Sequence, residues 1–89
     1  MAELLDIEIQ ATPNPQAVKF TLNRVVAAAG KTYRDAEQAD VAWAKALLAL
    51  PGVAQVFAVN NFISVTKTTE ASWDGIFESV GAILERSFS

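Results

Sequence analysis

The chain has no cysteine and no histidine. The missing thiols exclude disulfides and thiolate-held metal centres. Without imidazole as well, Cys/His zinc sites and the Ser-His-Asp and Cys-His arrangements of nucleophilic catalysis are out of reach. Glycine is sparse, and Gly30, Gly52, Gly75 and Gly81 stand isolated, so no phosphate-cradling loop is present. No apolar run approaches the roughly 20 residues of a membrane span. Positive charge is also short. Seven basic residues face ten acidic ones, for a net charge of −3, and they are scattered from Lys19 to Arg86. A nucleic-acid binder needs a concentrated basic surface, so protein partners or none are expected. Residues 1–8 carry early acids and no basic n-region, which argues against a signal peptide and makes the cytoplasm the expected location.

What is present is the composition of a globular domain, with 52% hydrophobic and 19% charged residues. At 89 residues the expectation is one domain, spanning positions 1–89, with one core. Leu5, Ile7 and Ile9 alternate with Asp6, Glu8 and Gln10, the period of a half-buried strand. Thr12-Pro13-Asn14-Pro15 stops it, because two prolines around an asparagine cannot continue a ladder. Val18, Phe20 and Leu22 alternate with Lys19, Thr21 and Asn23 and predict a second strand. Residues 24–38 are ambiguous. Val25 to Ala29 suits a helical turn or a short strand, Gly30 interrupts it, and the stretch reads as a loop with a possible edge strand.

Asp40 is placed to cap a helix whose apolar stripe holds Trp43, Leu47 and Leu50, and which ends at Pro51-Gly52. Two apolar runs, 56–59 and 62–65, flank Asn60-Asn61. Asparagine tolerates positive φ, so the pair suits a two-residue hairpin turn. Ser72 can cap a last helix in which Trp73, Ile76, Phe77, Val80, Ile83 and Leu84 follow helical spacing. Trp43 and Trp73 are expected to anchor the core. The order ββαββα predicts an α+β two-layer sandwich, a four-stranded, largely antiparallel sheet with two helices on one face.

Few residues remain for chemistry. Asp6, Glu8, Asp35, Glu37 and Asp40 are the carboxylates from which a pair is formally possible, and they read better as solvated surface acids. Their spacing is too thin for a Ca²⁺ or Mg²⁺ loop, so no metal, cofactor or catalytic residue is assigned. The candidate partner-binding residues are Thr12, Pro13, Asn14, Pro15, Lys19, Asn60 and Asn61. Against each stands a plainer reading: a rigid self-bonded turn, a solvated lysine, a hairpin tip.

Thr12-Pro13-Asn14-Pro15 followed by Lys19-Phe20 resembles the opening signature of the N-terminal domain of the Nfu/NifU-like iron–sulfur scaffold family. The helix end Leu47-Leu48-Ala49-Leu50-Pro51-Gly52-Val53, the block Asn61-Phe62-Ile63-Ser64-Val65-Thr66-Lys67 and Trp73 at the start of the last helix resemble further blocks of that domain, in the same order. Val41 stands where the family often has proline, and Ser64 where threonine is common. The family's cluster ligands belong to a Cys-x-x-Cys domain that these residues do not include. The resemblance therefore implies a free-standing companion domain: a non-catalytic interaction module for iron–sulfur cluster assembly or delivery. Its partners would be separate cluster-carrying scaffold or recipient proteins. A different class of function, a small-molecule binder or minor enzyme, would use the turn from Pro13 to Pro15 together with Lys19. It requires a pocket that gathers Asn14, Lys19, Asn60 and Asn61. A third reading is a protein that self-associates through a strand edge.

Overall fold

The structure, a computed structural model, describes residues 5–88. Five strands, β1 (Ile7–Ala11), β2 (Ala17–Leu22), β3 (Ala27–Tyr33), β4 (Val53–Asn60) and β5 (Phe62–Lys67), form one antiparallel sheet in the order β1-β2-β5-β4-β3. Helices α1 (Ala42–Leu48) and α2 (Trp73–Phe88) cover one face, and a short 3₁₀ turn at Ala36–Gln38 leads into α1. The α+β class, the antiparallel pairing and the two helices agree with the sequence reading. The strand count and order do not: the sheet has five strands rather than four, and the chain runs βββαββα.

The extra strand is β3, in the stretch that periodicity left open. Its alanines and Gly30 carry no alternation, and of its residues only Tyr33 is buried. Pairing to β4 makes it a strand, with the register shifting between Ala27 and Lys31. Tertiary pairing overrides the helical leaning of alanine here. Smallness also matters, since a Cβ added at Gly30 would stand 3.3 Å from the Phe57 ring.

Alternation in β2 is realised, with Val18, Phe20 and Leu22 buried. In β1 it is realised only in part. Ile7 packs against the core, but Ile9 is 51% exposed, because β1 is an edge strand beyond the reach of the helices. The core lies between sheet and helices and is built from Phe20, Leu22, Val56, Ile63 and Val65 against Leu47, Val80 and Leu84. Trp43 joins it, edge-on to Tyr33 at 5.9 Å and 5.7 Å from Phe88. Trp73 is only partly buried and stacks on Phe77 at 5.2 Å.

The expected caps divide. Ser72 Oγ accepts the Asp74 N–H at 3.3 Å, as anticipated for α2. Asp40 does not cap α1. Val41 occupies the N-cap position without a side-chain bond, while the Asp40 carboxylate is taken by Lys31 Nζ at 2.5 Å and the Tyr33 hydroxyl at 3.0 Å. An ammonium and a phenol within reach outcompete backbone N–H groups for one carboxylate. Helix α1 stops at Leu48, short of Leu50, and the chain turns at Gly52 with φ +92°.

Candidate functional site

The candidate residues fall in three separate places. The turn between β1 and β2 is built by its own side chains. Thr12 Oγ1 lies 2.9 Å from the carbonyl oxygens of both Asn14 and Ala17 and accepts the Asn14 N–H at 3.2 Å. Asn14 Oδ1 accepts the Gln16 N–H at 3.0 Å. Thr12 and Asn14 thus direct polar atoms inward, which is how short polar side chains stabilise turns. Pro13, Asn14 and Pro15 are exposed. The turn is tied down from outside by Lys67, whose N–H donates to the Gln16 carbonyl and whose Nζ donates to Gln16 Oε1 at 2.7 Å.

Asn60 and Asn61 close the β4–β5 hairpin, with Val59 opposite Phe62. Asn60 takes φ +54°, which asparagine tolerates better than most residues. Their polar groups receive the crossover from β2 to β3. Leu22 N–H donates to the Asn61 carbonyl at 2.7 Å, Asn61 Nδ2 donates to the Leu22 carbonyl at 3.1 Å, and Val26 N–H donates to the Asn60 carbonyl at 2.7 Å. The hairpin end and the Thr12 turn lie at opposite ends of β2, a six-residue strand about 17 Å long.

Lys19 lies between them on the sheet face that the helices leave open. The register sets out two rows across this face. One row runs Gln10, Lys19, Ser64, Phe57, Thr32; the next runs Glu8, Thr21, Phe62, Val59. Lys19 Nζ stands 4.5 Å from the Phe62 ring centroid, a cation–π contact, and Phe62 lies 6.2 Å from Phe57. Phe57, Val59 and Phe62 are half-buried on this face. Sequence reasoning missed Phe57. Its signal was the unbroken apolar run 56–59, which marks a strand apolar on both faces rather than one.

Two of the candidate carboxylates, Asp40 and Asp35, are engaged by neighbouring groups. Hydrogen bonds from Lys31 and then Tyr33 hold Asp40 below the ordinary carboxyl range. Its hydrogen bond raises Lys31, and burial followed by the Asp40 contact raises Tyr33. Asp35 Oδ1 accepts the Glu37 N–H at 3.0 Å and caps the 3₁₀ turn. Among the described residues, no three acids lie close enough to hold a metal ion. Two grooves indent the helical side. One, of about 550 Å³, lies between the turn at Pro51 and the start of α2, and the other, of about 660 Å³, lies between α1 and the end of α2. Neither is lined by Asn14, Lys19, Asn60 or Asn61, so the pocket that a small-molecule reading requires of these residues is not formed by either groove. No described helix is long and apolar enough to cross a membrane.

Comparison with known proteins gives a consistent result. NifU-like protein 5, mitochondrial, of Arabidopsis thaliana is 31% identical over 87 residues, covering 93% of this chain and 31% of that protein. Conserved virulence factor C of Staphylococcus aureus is 29% identical over 77 residues, covering 85% of this chain and 21% of that protein. The chain thus spans a third or less of the length of these relatives. The crystal structure of protein SAV1430 from Staphylococcus aureus superposes with a TM-score of 0.80 at 32% identity, covering 89% of this chain and 98% of that one. The model of the scaffold protein Nfu/NifU N-terminal family matches residues 7–89, and the chain belongs to that family.

Proposed function

We propose that this domain is a non-catalytic protein-interaction module that serves iron–sulfur cluster assembly or delivery in the cytoplasm, the cluster itself being carried outside these residues. The observation that carries the reading is a family match over residues 7–89 in a sequence without cysteine or histidine. Cluster ligation normally needs thiolates, so in these residues recognition is the part of the task that remains. The likeness to a NifU-like protein supports the same reading. The recognition surface centres on Lys19, Phe62 and Phe57, where a cation and two rings lie on an uncovered sheet. Aromatic side chains at the middle of an open face suit a protein contact, since phenylalanine is enriched at interface cores, and Lys19 adds a charge beside them. The exposed Pro13, Asn14 and Pro15 flank that face at one end; Asn60 and Asn61 flank it at the other.

Affinity capture from native lysate, read by mass spectrometry, tests this. The intact chain is expected to recover proteins that assemble or contain iron–sulfur clusters. Lys19→Glu is expected to lower that recovery about tenfold while leaving the circular dichroism spectrum unchanged. Recovery of no such protein under both aerobic and anaerobic conditions would overturn the proposal.

A further inference from the structure

Among the described residues no strand pairs with the outer edge of β1, and its hydrogen-bonding groups can be assigned. Asn23 N–H donates to the Asp6 carbonyl, so positions 6 and 23 form a hydrogen-bonded pair in the β1–β2 register. Such pairs recur at every second residue of an antiparallel ladder. Glu8 and Gln10 therefore bond to β2, and the backbone groups of Ile7, Ile9 and Ala11 point away from the sheet. The β2–β5 ladder agrees: Leu22 N–H donates to the Asn61 carbonyl, which assigns Val18, Phe20 and Leu22 to β5 and leaves Lys19 and Thr21 for β1. The two edges of the sheet differ in protection. The β3 edge carries a register shift, Gly30 and the exposed Lys31, devices that discourage strand addition. Residues 7–11 contain no proline, lysine or bulge, and Ile9 is one of two large hydrophobic residues that stand exposed among the described residues.

We infer that β1 pairs with β1 of a second copy of this chain, antiparallel and two-fold symmetric, with Ile9 opposite Ile9. Charge selects the occupant and the register. With Ile9 on the axis, all five residues of β1 pair, Ile7 meets Ala11, and each Glu8 meets the other copy's Gln10. Within one chain Gln10 Nε2 already donates to Glu8 Oε1 at 3.2 Å, and the symmetric pairing offers the same bond twice across the interface. Sliding by two positions towards the N-terminus sets Glu8 against Glu8, and sliding by four sets Asp6 against Glu8. Like charges directly opposite disfavour both. The exposed Ile9 side chains meet on the helix side, each beside its own Phe20. Two five-stranded sheets become one of ten strands, with both open faces on the same side. A five-residue edge buries less than the roughly 1,200 Å² of a stable interface, so the pair is transient and concentration-dependent.

Sedimentation equilibrium of the intact chain, from about 10 µM to about 1 mM, reads this association directly. The weight-average mass is expected to climb from 9.6 kDa towards twice that value. Ile9→Lys should hold it at the monomer. Gln10→Lys should tighten the pair about fivefold and Gln10→Glu should weaken it to a similar degree, both effects fading with salt. The Gln10 variants alter an exposed residue, so they test the register even if Ile9→Lys fails to fold. A constant monomer mass to 1 mM overturns the inference. So does association that the two Gln10 variants leave equal, because it would run through another surface.

Discussion

At the scale of single residues, two buried or constrained positions have measurable consequences. Thr21 Oγ1 is buried on the open face with no hydrogen-bond partner among the described residues. A buried hydroxyl left unpaired costs about 1–3 kcal/mol, and valine has nearly the same shape. Thr21→Val is therefore expected to stabilise the fold by about 1 kcal/mol, seen as a higher urea midpoint at unchanged m-value. Gly52 holds φ +92°, and a Cβ there would lie 2.7 Å from the Ala71 Cβ. Gly52→Ala meets both an unfavourable backbone and a clash, and should lower stability by about 2 kcal/mol or more in the same measurement. Asp40 gives a third test. Its folded pKa lies below 3.8, so its contribution is present above that value and is lost as pH falls through the folded pKa. Lys31 and Tyr33 are raised above 10.5 and 10.0, so theirs is complete below those values and is lost as pH rises through the folded ones. Asp40→Asn is expected to flatten both limbs of a plot of melting temperature against pH. A variant that keeps both slopes would remove Asp40 from this role. Lys31 and Asp40 are largely exposed, so the effect is small and salt-sensitive.

At the scale of elements, the hairpin end shows why a turn motif is easier to read than its use. Asn60-Asn61 between two apolar runs predicted the turn, and the turn is there. What the pair also does, receiving Leu22 and Val26, depends on the chain crossing that end of the sheet on its way from β2 to β3. No local pattern encodes that path. Asn60 is expected to tolerate glycine within about 0.5 kcal/mol, whereas Asn60→Val should cost about 1–2 kcal/mol because a branched residue resists φ +54°. Strand β3 shows the opposite case. Alanine and glycine carry no face preference, so residues 27–30 left the edge strand, which the structure forms, only as one possibility beside a helical turn. Gly30 stays small beside Phe57 and Val59.

For the whole molecule, one thin core joins all elements. A domain of this size has a stability of order 5–10 kcal/mol. Phe20 is fully buried in the second strand of the sheet and lies 6.3 Å from Phe77 of α2. Truncating such a residue typically removes about 3–5 kcal/mol. Phe20→Ala is therefore expected to lose most of the cooperative thermal transition, and a variant with a sharp transition at the parent temperature would contradict this account of the core. The same thin build leaves one face of the sheet uncovered by helices among the described residues, because two helices of 7 and 16 residues lie on the other. That face holds Lys19 and the two phenylalanines on which the proposed interaction rests.

The sequence by itself determined the exclusions and the local grammar. Its lack of cysteine and histidine removes thiolate and imidazole chemistry whatever the fold. The alternation of β2, the Asn60-Asn61 turn and the helical spacing after Ser72 follow from side-chain period and backbone preference, which act over a few residues. The tertiary structure decided the fifth strand, the strand order, the surrender of Asp40 to Lys31 and Tyr33, and the placing of candidate residues. Thr12 and Asn14 turned their polar atoms onto the backbone, Asn60 and Asn61 went to the far end, and only Lys19 came to stand beside aromatic rings on an open face. Those outcomes depend on which segments meet across the sheet, and such meetings are set by long-range pairing and burial rather than by any local pattern.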